Sequence, residues 1–404
     1  MIHSFSASNI LSIRERVVMD LRIPRTAPNL SRFRRSQARP STRGPSVVVL
    51  IGPNGSGKTA LLRALVTTAR IAAFQPNPVE GSSPIRLLTP LSSAKTRDKP
   101  TELSVDLEQD WLAPGQTRHL FRYGLRVQHD PQDFRNKRIL HEVLSYTPKG
   151  RHRRLFERRG PDDPIYASRD FGVTPNDRRL QAVRPYASVI STLAQLNVLP
   201  AMRIADHFHH IAGTANVLPL GEHQIPTQTV AAMFERDSGL RTWVNERIQG
   251  SDLGISGIEV SGSRGRKVVS FRHYGLDEPI DLYFESSGTQ LLFHLLPRLH
   301  AALERGIPGI FDEIDGDLHL NIAGEILNWF RSREMNPRSA QIFVTTHNVG
   351  LLDDLEKEEV FVLEKSLDGA TRMHGVQDVR GLRRDARLYP KYRAGVFGGV
   401  PSIG

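Results

Sequence analysis

Two patterns of hydrophobic and polar positions divide the chain. Residues 46–51, "SVVVLI", form a continuous β-branched run of the kind that is buried on both faces in a parallel sheet. The runs "GIPGIFDEID" at 306–315 and "AQIFVTTHN" at 340–348 are short apolar strands that end in polar residues, and a helix-like stretch precedes each. This recurrence of helix and strand predicts an α/β core.

The middle of the chain follows the second pattern. Residues 96–108 and 119–129 alternate as antiparallel strands do, and "RILHEVLSYTPKG" with "RRLFERRG" predicts a further strand pair. Residues 178–213 and 227–249 carry apolar residues at helical spacing. We therefore expect an antiparallel β subdomain and a helical lobe, both inserted into the core.

Length and composition fit one large globular domain. The chain has 404 residues, of which 39% are hydrophobic and 24% charged, which is enough for a buried core. The absence of cysteine excludes disulfides, thiol catalysis and cysteine-based zinc sites. No apolar run is long enough to span a membrane and the N-terminus lacks a secretory signal, so we expect a cytoplasmic protein without membrane contact. We predict a single domain over 1–404, with N-terminal strands, a basic loop and a nucleotide lobe at 1–75, an antiparallel β region at 76–175, a helical lobe and hairpin at 176–280, and the remaining motifs at 281–404.

The net charge of the chain is +11, and many of its basic residues lie in two segments. One reading of them is a solvated, mobile loop, and the other is a contact with the phosphate backbone of a nucleic acid. Both readings stay open on the sequence alone. The basic residues of the first segment are Arg22, Arg25, Arg32, Arg34, Arg35, Arg39 and Arg43, and those of the second are Lys149, Arg151, Arg153, Arg154, Arg158 and Arg159.

Residues 52–59 fit the phosphate-binding pattern G-x-x-x-x-G-K-[ST] completely, and they lie between a buried strand and a helix as that chemistry requires. Glycines let the backbone wrap close to phosphate, so that amide hydrogens and the helix N-terminus face the anion. We expect Lys58 to reach the β and γ phosphates of ATP and the Thr59 hydroxyl to bind Mg²⁺. The predicted nucleotide-binding residues are Asn54, Gly55, Ser56, Gly57, Lys58 and Thr59.

Acidic residues end the strand at 306–315. Asp312 is a predicted Mg²⁺ ligand, and Glu313 is placed to polarise an attacking water. Two such acids could instead form a plain helix cap. His347 ends the following strand, and its place after a phosphate-binding loop and an acid pair favours a catalytic role over the usual structural one.

The segment "FESSGTQLL" at 284–292 precedes a leucine-rich helix. By its spacing, Ser287 with Gln290 predicts a capping box, in which Ser287 accepts from an orphan amide of the helix and Gln290 reaches back. A capped helix N-terminus keeps spare amides and a partial positive charge, so it could also contact a phosphate.

Together these motifs resemble the ABC-type ATPases of the SMC, RecF and OLD group. More closely, "ESSGTQLLFHLLPRL", "IFDEIDGDLHLNIAGEILNWF", "AQIFVTTHNVGLLD" and "YRAGVFGGVPSI" look like the stand-alone AAA/ABC-like ATP-binding proteins of bacteria, of the RloA and AriA kind. The fold this implies is a P-loop NTPase with an ABC-type ATPase head. It has a mixed α/β sheet core, an antiparallel β subdomain and an inserted helical lobe.

The resemblance implies a homodimer or higher homo-oligomer with ATP sites shared in trans. Ser287 and Gly288 would contact the γ-phosphate held by the partner, and Asp312, Glu313 and His347 would be the Mg²⁺-organising acid, the catalytic base and the switch histidine. Leu318 and His319 would lie in the loop that crosses the dimer seam. The chain departs from the family pattern in two places: Thr289 replaces the second glycine of the signature, and "LLTPLSSAK" at 87–95 has no glutamine for the nucleotide-sensing lid.

The resemblance further implies a Mg²⁺-dependent ATPase of anti-phage or abortive-infection defence that controls a separate nuclease effector, of the RloB or TOPRIM type. Only 57 residues follow His347, so we expect any nuclease to act in trans. The alternative is a DNA-repair ATPase like RecF or SMC that binds nucleic acid through the basic loops. A scaffold that binds ATP without turnover is a third reading, against which Glu313 argues.

Overall fold

The computed structural model describes residues 1–75, 88, 96, 98–110, 118–129, 137–217, 225–251, 253–263 and 266–400. These residues form strands β1 to β17 and helices α1 to α8, joined by short 3₁₀ turns. The strands are β1 Ile2–Ser8, β2 Val17–Asp20, β3 Phe33–Arg35, β4 Arg43–Pro45, β5 Val47–Ile51, β6 Thr101–Asp110, β7 Arg118–His129, β8 Lys137–Thr147, β9 Arg153–Arg158, β10 Tyr166–Ala167, β11 Ile255–Ser263, β12 Arg266–His273, β13 Ile280–Asp281, β14 Gly309–Phe311, β15 Ile342–Thr345, β16 Val360–Lys365 and β17 Thr371–Gly375. The helices are α1 Lys58–Ala73, α2 Val189–Gln195, α3 Leu199–Gly213, α4 Thr227–Arg236, α5 Ser238–Gln249, α6 Ser287–Arg305, α7 Leu320–Arg331 and α8 Leu388–Arg393.

A five-stranded sheet carries the predicted motifs, with the strand order β14-β15-β5-β16-β17. Strands β14, β15, β5 and β16 run parallel, and β17 closes the edge antiparallel to β16. Every residue of β5 is buried, which explains its uninterrupted apolar sequence. Because β14, β15 and β5 are parallel neighbours, their carboxyl ends meet at one edge of the sheet, and the α/β core predicted from the sequence is confirmed.

A seven-stranded antiparallel sheet forms the second layer, in the order β10-β9-β8-β7-β6-β1-β2. It contains the strands predicted within 96–108 and 119–129, which pair as β6 and β7, and the further pair β8 and β9. The predicted antiparallel β subdomain is therefore present, and β1 and β2 join it from the start of the chain.

Helices cover both sheets. The apolar faces of α1, α2 and α3 pack together with the antiparallel sheet in one core, whereas α5, α6 and α7 form a second core with the parallel sheet and the β11–β12 hairpin. The prediction of a helix over 178–213 is partly wrong. After a short 3₁₀ turn, Pro185 interrupts the segment, and α2 begins only after Ser188, whose hydroxyl caps it by accepting from the Ile190 amide.

None of the helices that the structure describes combines the length and the apolar composition that a bilayer crossing requires. The segment "LLTPLSSAK", predicted to replace the lid glutamine, lies outside the described residues except for Leu88, which is buried.

Candidate functional site

The phosphate-binding loop connects β5 directly to α1, as predicted. Gly57 has a φ of 108° and Gly52 a φ of 145°, a region that side chains disfavour. A Cβ on Gly57 would also collide with the Thr371 side chain, and one on Gly52 would meet the Leu363 carbonyl oxygen. Both glycines are therefore required by conformation and by the close approach of β16 and β17.

Lys58 is the first residue of α1, and its ammonium group is folded back onto the loop. Nζ donates hydrogen bonds to the carbonyl oxygens of Gly52 at 2.8 Å and Pro53 at 3.1 Å. Burial lowers the pKa of Lys58, and the nearby carboxylates of Asp312 and Glu313 act in the opposite direction. An ammonium has three donors, so one donor remains for a ligand.

The residues around this loop fit an anionic ligand. The first turn of α1 contains no acidic residue, so nothing in it opposes the partial positive charge of the helix N-terminus. The hydroxyl of Ser56 is buried and has no hydrogen-bond partner among the described residues. A buried unpaired hydroxyl is unfavourable unless a ligand satisfies it, so the loop suits phosphate.

A cleft of about 660 Å³ opens over the loop. It brings the predicted residues Glu313 and His347 into the same space as the loop, together with two cations that the sequence did not single out, Arg63 and Lys365. The predicted residues that line the cleft are Asn54, Gly55, Ser56, Gly57, Lys58, Thr59, Glu313 and His347.

The acid pair follows β14 at the carboxyl edge of the sheet. Thr345 at the end of β15 donates from Oγ1 to Asp312 Oδ1 at 2.6 Å, and the same hydroxyl oxygen accepts from the Glu313 amide at 2.7 Å. Asn216 holds the backbone from the other side, because its Oδ1 accepts from the Asp312 amide at 2.6 Å and its Nδ2 donates to the Asp312 carbonyl at 3.1 Å. Two neutral side chains thus fix the acid pair, so these contacts do not neutralise the charge of either carboxylate.

Glu313 turns away from the strand with a φ of 50°, a value rare for any residue except glycine, asparagine and aspartate. Its side chain is 61% exposed, and Oε1 lies 3.5 Å from Nε2 of His347. The backbone conformation therefore directs the carboxylate into the cleft, beside the imidazole. An exposed carboxylate beside a histidine can accept a proton from water.

Asp315 orients the segment that carries His347. Its Oδ2 accepts hydrogen bonds from the amides of His347 at 3.2 Å and Asn348 at 2.8 Å. Its other oxygen, Oδ1, is buried and has no partner among the described residues. The sequence offered one signal for this residue, a third acid close to the predicted pair.

Thr371 closes the site from the far edge of the sheet. Its hydroxyl donates to the Ser56 carbonyl at 2.8 Å and lies 2.8 Å from Ser12 Oγ, while its amide donates to the Ser12 carbonyl at 2.8 Å. The loop backbone is thereby tied to β17 and to the turn after β1. Neither periodicity nor a motif pointed to Thr371, Ser12 or Asn216.

The signature segment starts α6, but its predicted cap is wrong by one residue. Ser286, not Ser287, is the N-cap, and its Oγ accepts from the Thr289 amide at 3.1 Å. Gln290 instead donates from Nε2 to the carbonyl oxygens of Tyr283 and Glu285. Ser287 is therefore released from capping and is exposed at the helix N-terminus.

Ser287 and Gly288 are not among the described residues that line the cleft over the loop of their own chain. Gly288 packs against the loop after the acid pair, where a Cβ would lie 2.8 Å from the Asp317 carbonyl oxygen. In that same loop Leu318 is buried in the core, whereas His319 is exposed and caps α7 by accepting from the Asn321 amide. Of the two residues predicted at a seam, only His319 is on the surface.

Three arginines of the basic segments, Arg34, Arg43 and Arg158, form hydrogen bonds or ion pairs within the fold. Arg34 is buried and donates to the carbonyl oxygens of Arg331 and Ser332. Arg43 donates to three carbonyl oxygens of its own segment, and the fully buried Arg158 pairs with Glu142 at 2.9 Å. These arginines bind carbonyl and carboxylate oxygens within the fold. The net charge of the chain therefore overstates the positive charge that is available to a binding partner.

The chain matches, over residues 47–353, the family described as "AAA domain, putative AbiEii toxin, Type IV TA system". The protein belongs to this AAA-domain family. The match runs from β5 to the turns after β15, so it includes the phosphate-binding loop, the signature, the acid pair and His347. The predicted resemblance to ABC-type, AAA-like P-loop ATPases is confirmed at this level.

The fold of this AAA-domain protein is similar to solved SMC heads. The SMC head bound to the C-winged helix domain of ScpA is 13% identical, with a TM-score of 0.49 and coverage of 92% of this chain and 97% of that one. The SMC head domain from Thermotoga maritima is 12% identical, with a TM-score of 0.41 and coverage of 93% and 98%. The Pyrococcus furiosus SMC head with an extended coiled coil, bound to the C-terminal domain of ScpA, is 12% identical, with a TM-score of 0.46 and coverage of 97% and 98%. No curated protein matches the chain.

Proposed function

We propose that this AAA-domain protein is a Mg²⁺-dependent ATPase that switches between nucleotide-bound and nucleotide-free states. The observation that carries the proposal is the convergence of Lys58, Glu313 and His347 on one cleft. These three residues come from separate parts of the chain. Phosphoryl transfer to water needs a cation that binds phosphate, a base that activates water and a polar group beside the base, and the three side chains supply these groups in that order.

Each residue has a role in this proposal. Lys58 and the first amides of α1 bind the phosphates of ATP, while Thr59 and Asp312 hold Mg²⁺, which neutralises phosphate charge when bound. Glu313 accepts the proton of the attacking water. His347, 3.5 Å from that carboxylate, orients it and responds to the state of the nucleotide.

We further propose that two copies complete each site in trans. The helix α6 supports this, because the amides of its first residues, Ser287 and Gly288, have no partner within a helix and Ser287 is exposed. The partial positive charge there suits a γ-phosphate held by a second copy. Neither residue lines the cleft of its own chain, so only a partner would bring them to nucleotide.

The biological setting that we propose is anti-phage or abortive-infection defence, with a separate nuclease as effector in the cytoplasm. The family description, which names a putative AbiEii toxin of a type IV toxin–antitoxin system, supports a setting of this kind. The alternative, a DNA-repair ATPase that grips nucleic acid with its basic segments, is weakened because Arg34, Arg43 and Arg158 are engaged within the fold.

The proposed activity is tested with purified protein by measuring phosphate release from ATP, with Mg²⁺ and with excess chelator. We expect turnover that requires the metal. Addition of duplex DNA at low salt should change the rate of ATP hydrolysis by less than about twofold. Low salt strengthens contacts with the DNA backbone, so a DNA-stimulated ATPase would show its effect under these conditions. No turnover under any condition would refute the ATPase proposal, and strong stimulation by DNA would favour the repair alternative.

A further inference from the structure

A second pocket shares no lining residue with the nucleotide cleft. It lies at the opposite end of strands β14 and β15, because Ile307 and Arg338 precede these strands whereas Glu313 and His347 follow them. We call it the arginine pocket. It encloses about 250 Å³ between the start of β7, helix α3, the end of α6 and the loop before β15. Its cationic and imidazole side chains are Arg118, Arg203, Arg305, Arg338, His207 and His210.

Two of these arginines form no ion pair with a carboxylate among the described residues, although Asp206 also lines the pocket. Arg118 pairs with Asp110 at 3.2 Å, and Arg338 lies 3.6 Å from Glu304. Arg305 contacts only the ring of His210, with NH1 2.6 Å from Nε2, and Arg203 has no ion pair or hydrogen bond with any residue that the structure describes. The pocket therefore keeps a positive charge that its own residues leave uncompensated.

The histidines add hydrogen-bonding groups without adding charge. Burial lowers the pKa of His207 to about 3, and burial together with the charge of Arg305 lowers the pKa of His210. Both rings are thus neutral at physiological pH. Arginine stays protonated at any such pH, so the charge of the pocket is permanent.

Gln109 supplies an independent indication of a ligand. This residue lines the pocket and is only 4% exposed, yet its Oε1 is buried without a hydrogen-bond partner among the described residues. A buried carbonyl oxygen without a partner costs free energy, which a donor on a bound molecule would recover if the Gln109 amide turns into the pocket on binding. The ligand should therefore carry a hydroxyl or amino group as well as negative charge.

We propose that the arginine pocket binds a phosphate monoester with a neighbouring hydroxyl group, as in a mononucleotide. The four arginines, set against Asp110 and Asp206 in the lining and Glu304 beside Arg338, leave an excess of one positive charge, which favours an anion such as a phosphate monoester. Guanidinium groups match phosphate oxygens in pairs. The volume admits a phosphate with its nearest substituent and little more.

The pocket is also connected to the nucleotide cleft. Arg305 is the last residue of α6, whose first residues are the signature Ser287 and Gly288. Ile307, in the wall of the pocket, leads through β14 to Asp312. We infer that occupancy of the pocket alters nucleotide turnover. This coupling rests on the proposed ATPase function, whereas binding itself does not.

Binding is tested in the Lys58→Ala protein, which removes the competing phosphate site, by calorimetric titration with AMP. We expect one AMP per chain. Replacing both Arg203 and Arg305 with alanine in that background should weaken AMP binding at least about tenfold, because charge-assisted hydrogen bonds are lost. The matched control replaces two exposed arginines outside the pocket, Arg178 and Arg241, and should leave affinity unchanged. Thermal unfolding of each variant establishes that it is folded.

The source of the phosphate is distinguished by a second probe, a short single-stranded oligonucleotide with a 5′-phosphate, compared with its 5′-hydroxyl form. Tighter binding of the 5′-phosphate form than of AMP would assign the pocket to nucleic-acid ends, and weaker binding would assign it to a free nucleotide. Absence of binding by either probe, or equal affinity in the pocket variant and the control variant, would overturn the proposal.

Coupling is measured in the protein with Lys58 intact, at saturating ATP, where AMP does not compete at the phosphate-binding loop. We expect AMP to change kcat at least about twofold in this protein and in the Arg178, Arg241 control, but not in the Arg203, Arg305 variant. If AMP binds as predicted and kcat is unchanged in all three, the coupling is refuted and the site stands. A protein without ATPase activity would instead refute the proposed function and leave the binding result intact.

Discussion

Thr345 Oγ1 donates a hydrogen bond of 2.6 Å to Asp312 Oδ1, across the two neighbouring strands β15 and β14. The same oxygen accepts from the Glu313 amide at 2.7 Å, so one buried hydroxyl fixes both acids of the proposed site. Thr345 therefore positions both the proposed Mg²⁺ ligand and the proposed base. In our proposal Thr345 itself contacts neither the ATP phosphates nor the attacking water.

Replacing Thr345 with valine keeps the shape and removes the hydroxyl. Asp312 Oδ1 then loses a donor and the Glu313 amide loses its acceptor, so we expect unfolding free energy to fall by ~1–3 kcal/mol. Loss of a partner behind a metal ligand should weaken apparent Mg²⁺ affinity in the ATPase assay about 10- to 100-fold. Thr345→Ser, which retains the hydroxyl, is the control. Equal Mg²⁺ dependence in the two variants would contradict the positioning role.

Glu313→Gln removes the proposed base and keeps its size. Turnover should fall about 10²- to 10⁴-fold, the usual contribution of general base catalysis, while ATP affinity stays within a few-fold. The exposed Glu334, which does not line the cleft, provides the matched variant Glu334→Gln, which should keep wild-type turnover. Phosphate release and equilibrium binding of labelled ATP give the two quantities. Turnover preserved in Glu313→Gln would remove Glu313 from the mechanism.

Trans action of the signature is tested by mixing two inactive proteins. Lys58→Ala cannot bind ATP phosphate, and Ser287→Arg places a bulky cation at the exposed start of α6. In a mixed dimer one site combines an intact phosphate-binding loop with an intact signature, so we expect partial recovery of ATPase activity. Mixing either variant with itself is the control. Mixtures that stay at the level of the separate variants would show that the signature does not act across two chains.

Arg34 and Arg35 are adjacent arginines with opposite environments, which makes them a matched pair. Arg34 is buried against the last carbonyl oxygens of α7, and burial lowers its pKa, whereas Arg35 is exposed. Arg34→Ala leaves those helix-end carbonyls without their cation, so we expect a loss of ~1.5–3 kcal/mol in unfolding free energy. Arg35→Ala should change it by less than about 0.5 kcal/mol. Denaturant unfolding measures both, and equal losses would mean that the buried contacts contribute nothing.

The sequence predicted those features that a short contiguous segment determines by itself. The phosphate-binding loop is a contiguous pattern between strand and helix, and Asp312 and His347 meet near it because they follow neighbouring parallel strands. Asn216 and Thr371 act through single side chains that contact distant backbone, which no periodicity encodes. The cap was misplaced because Ser286 and Ser287 are chemically equal candidates, and only the backbone conformation decides between them.

The role of the basic residues stayed open on the sequence for a related reason. Counting arginines in 22–43 gives their number but not the carbonyl oxygens that they meet after folding. Arg43 alone donates to Pro24, Ala27 and Pro28. A run of arginine with proline and no acid therefore folded as an internally hydrogen-bonded segment, with β3 and β4 paired within it.

The contacts of Thr371 also set an order for biosynthesis. The phosphate-binding loop has been synthesised by residue 59, but its backbone is held to β17 across 315 residues and to Ser12 through the same side chain. A nascent chain that carries the entire loop still lacks this support until Thr371 has left the ribosome. The loop therefore gains this support only after Thr371 has emerged, and ATP binding should arise no earlier than that point.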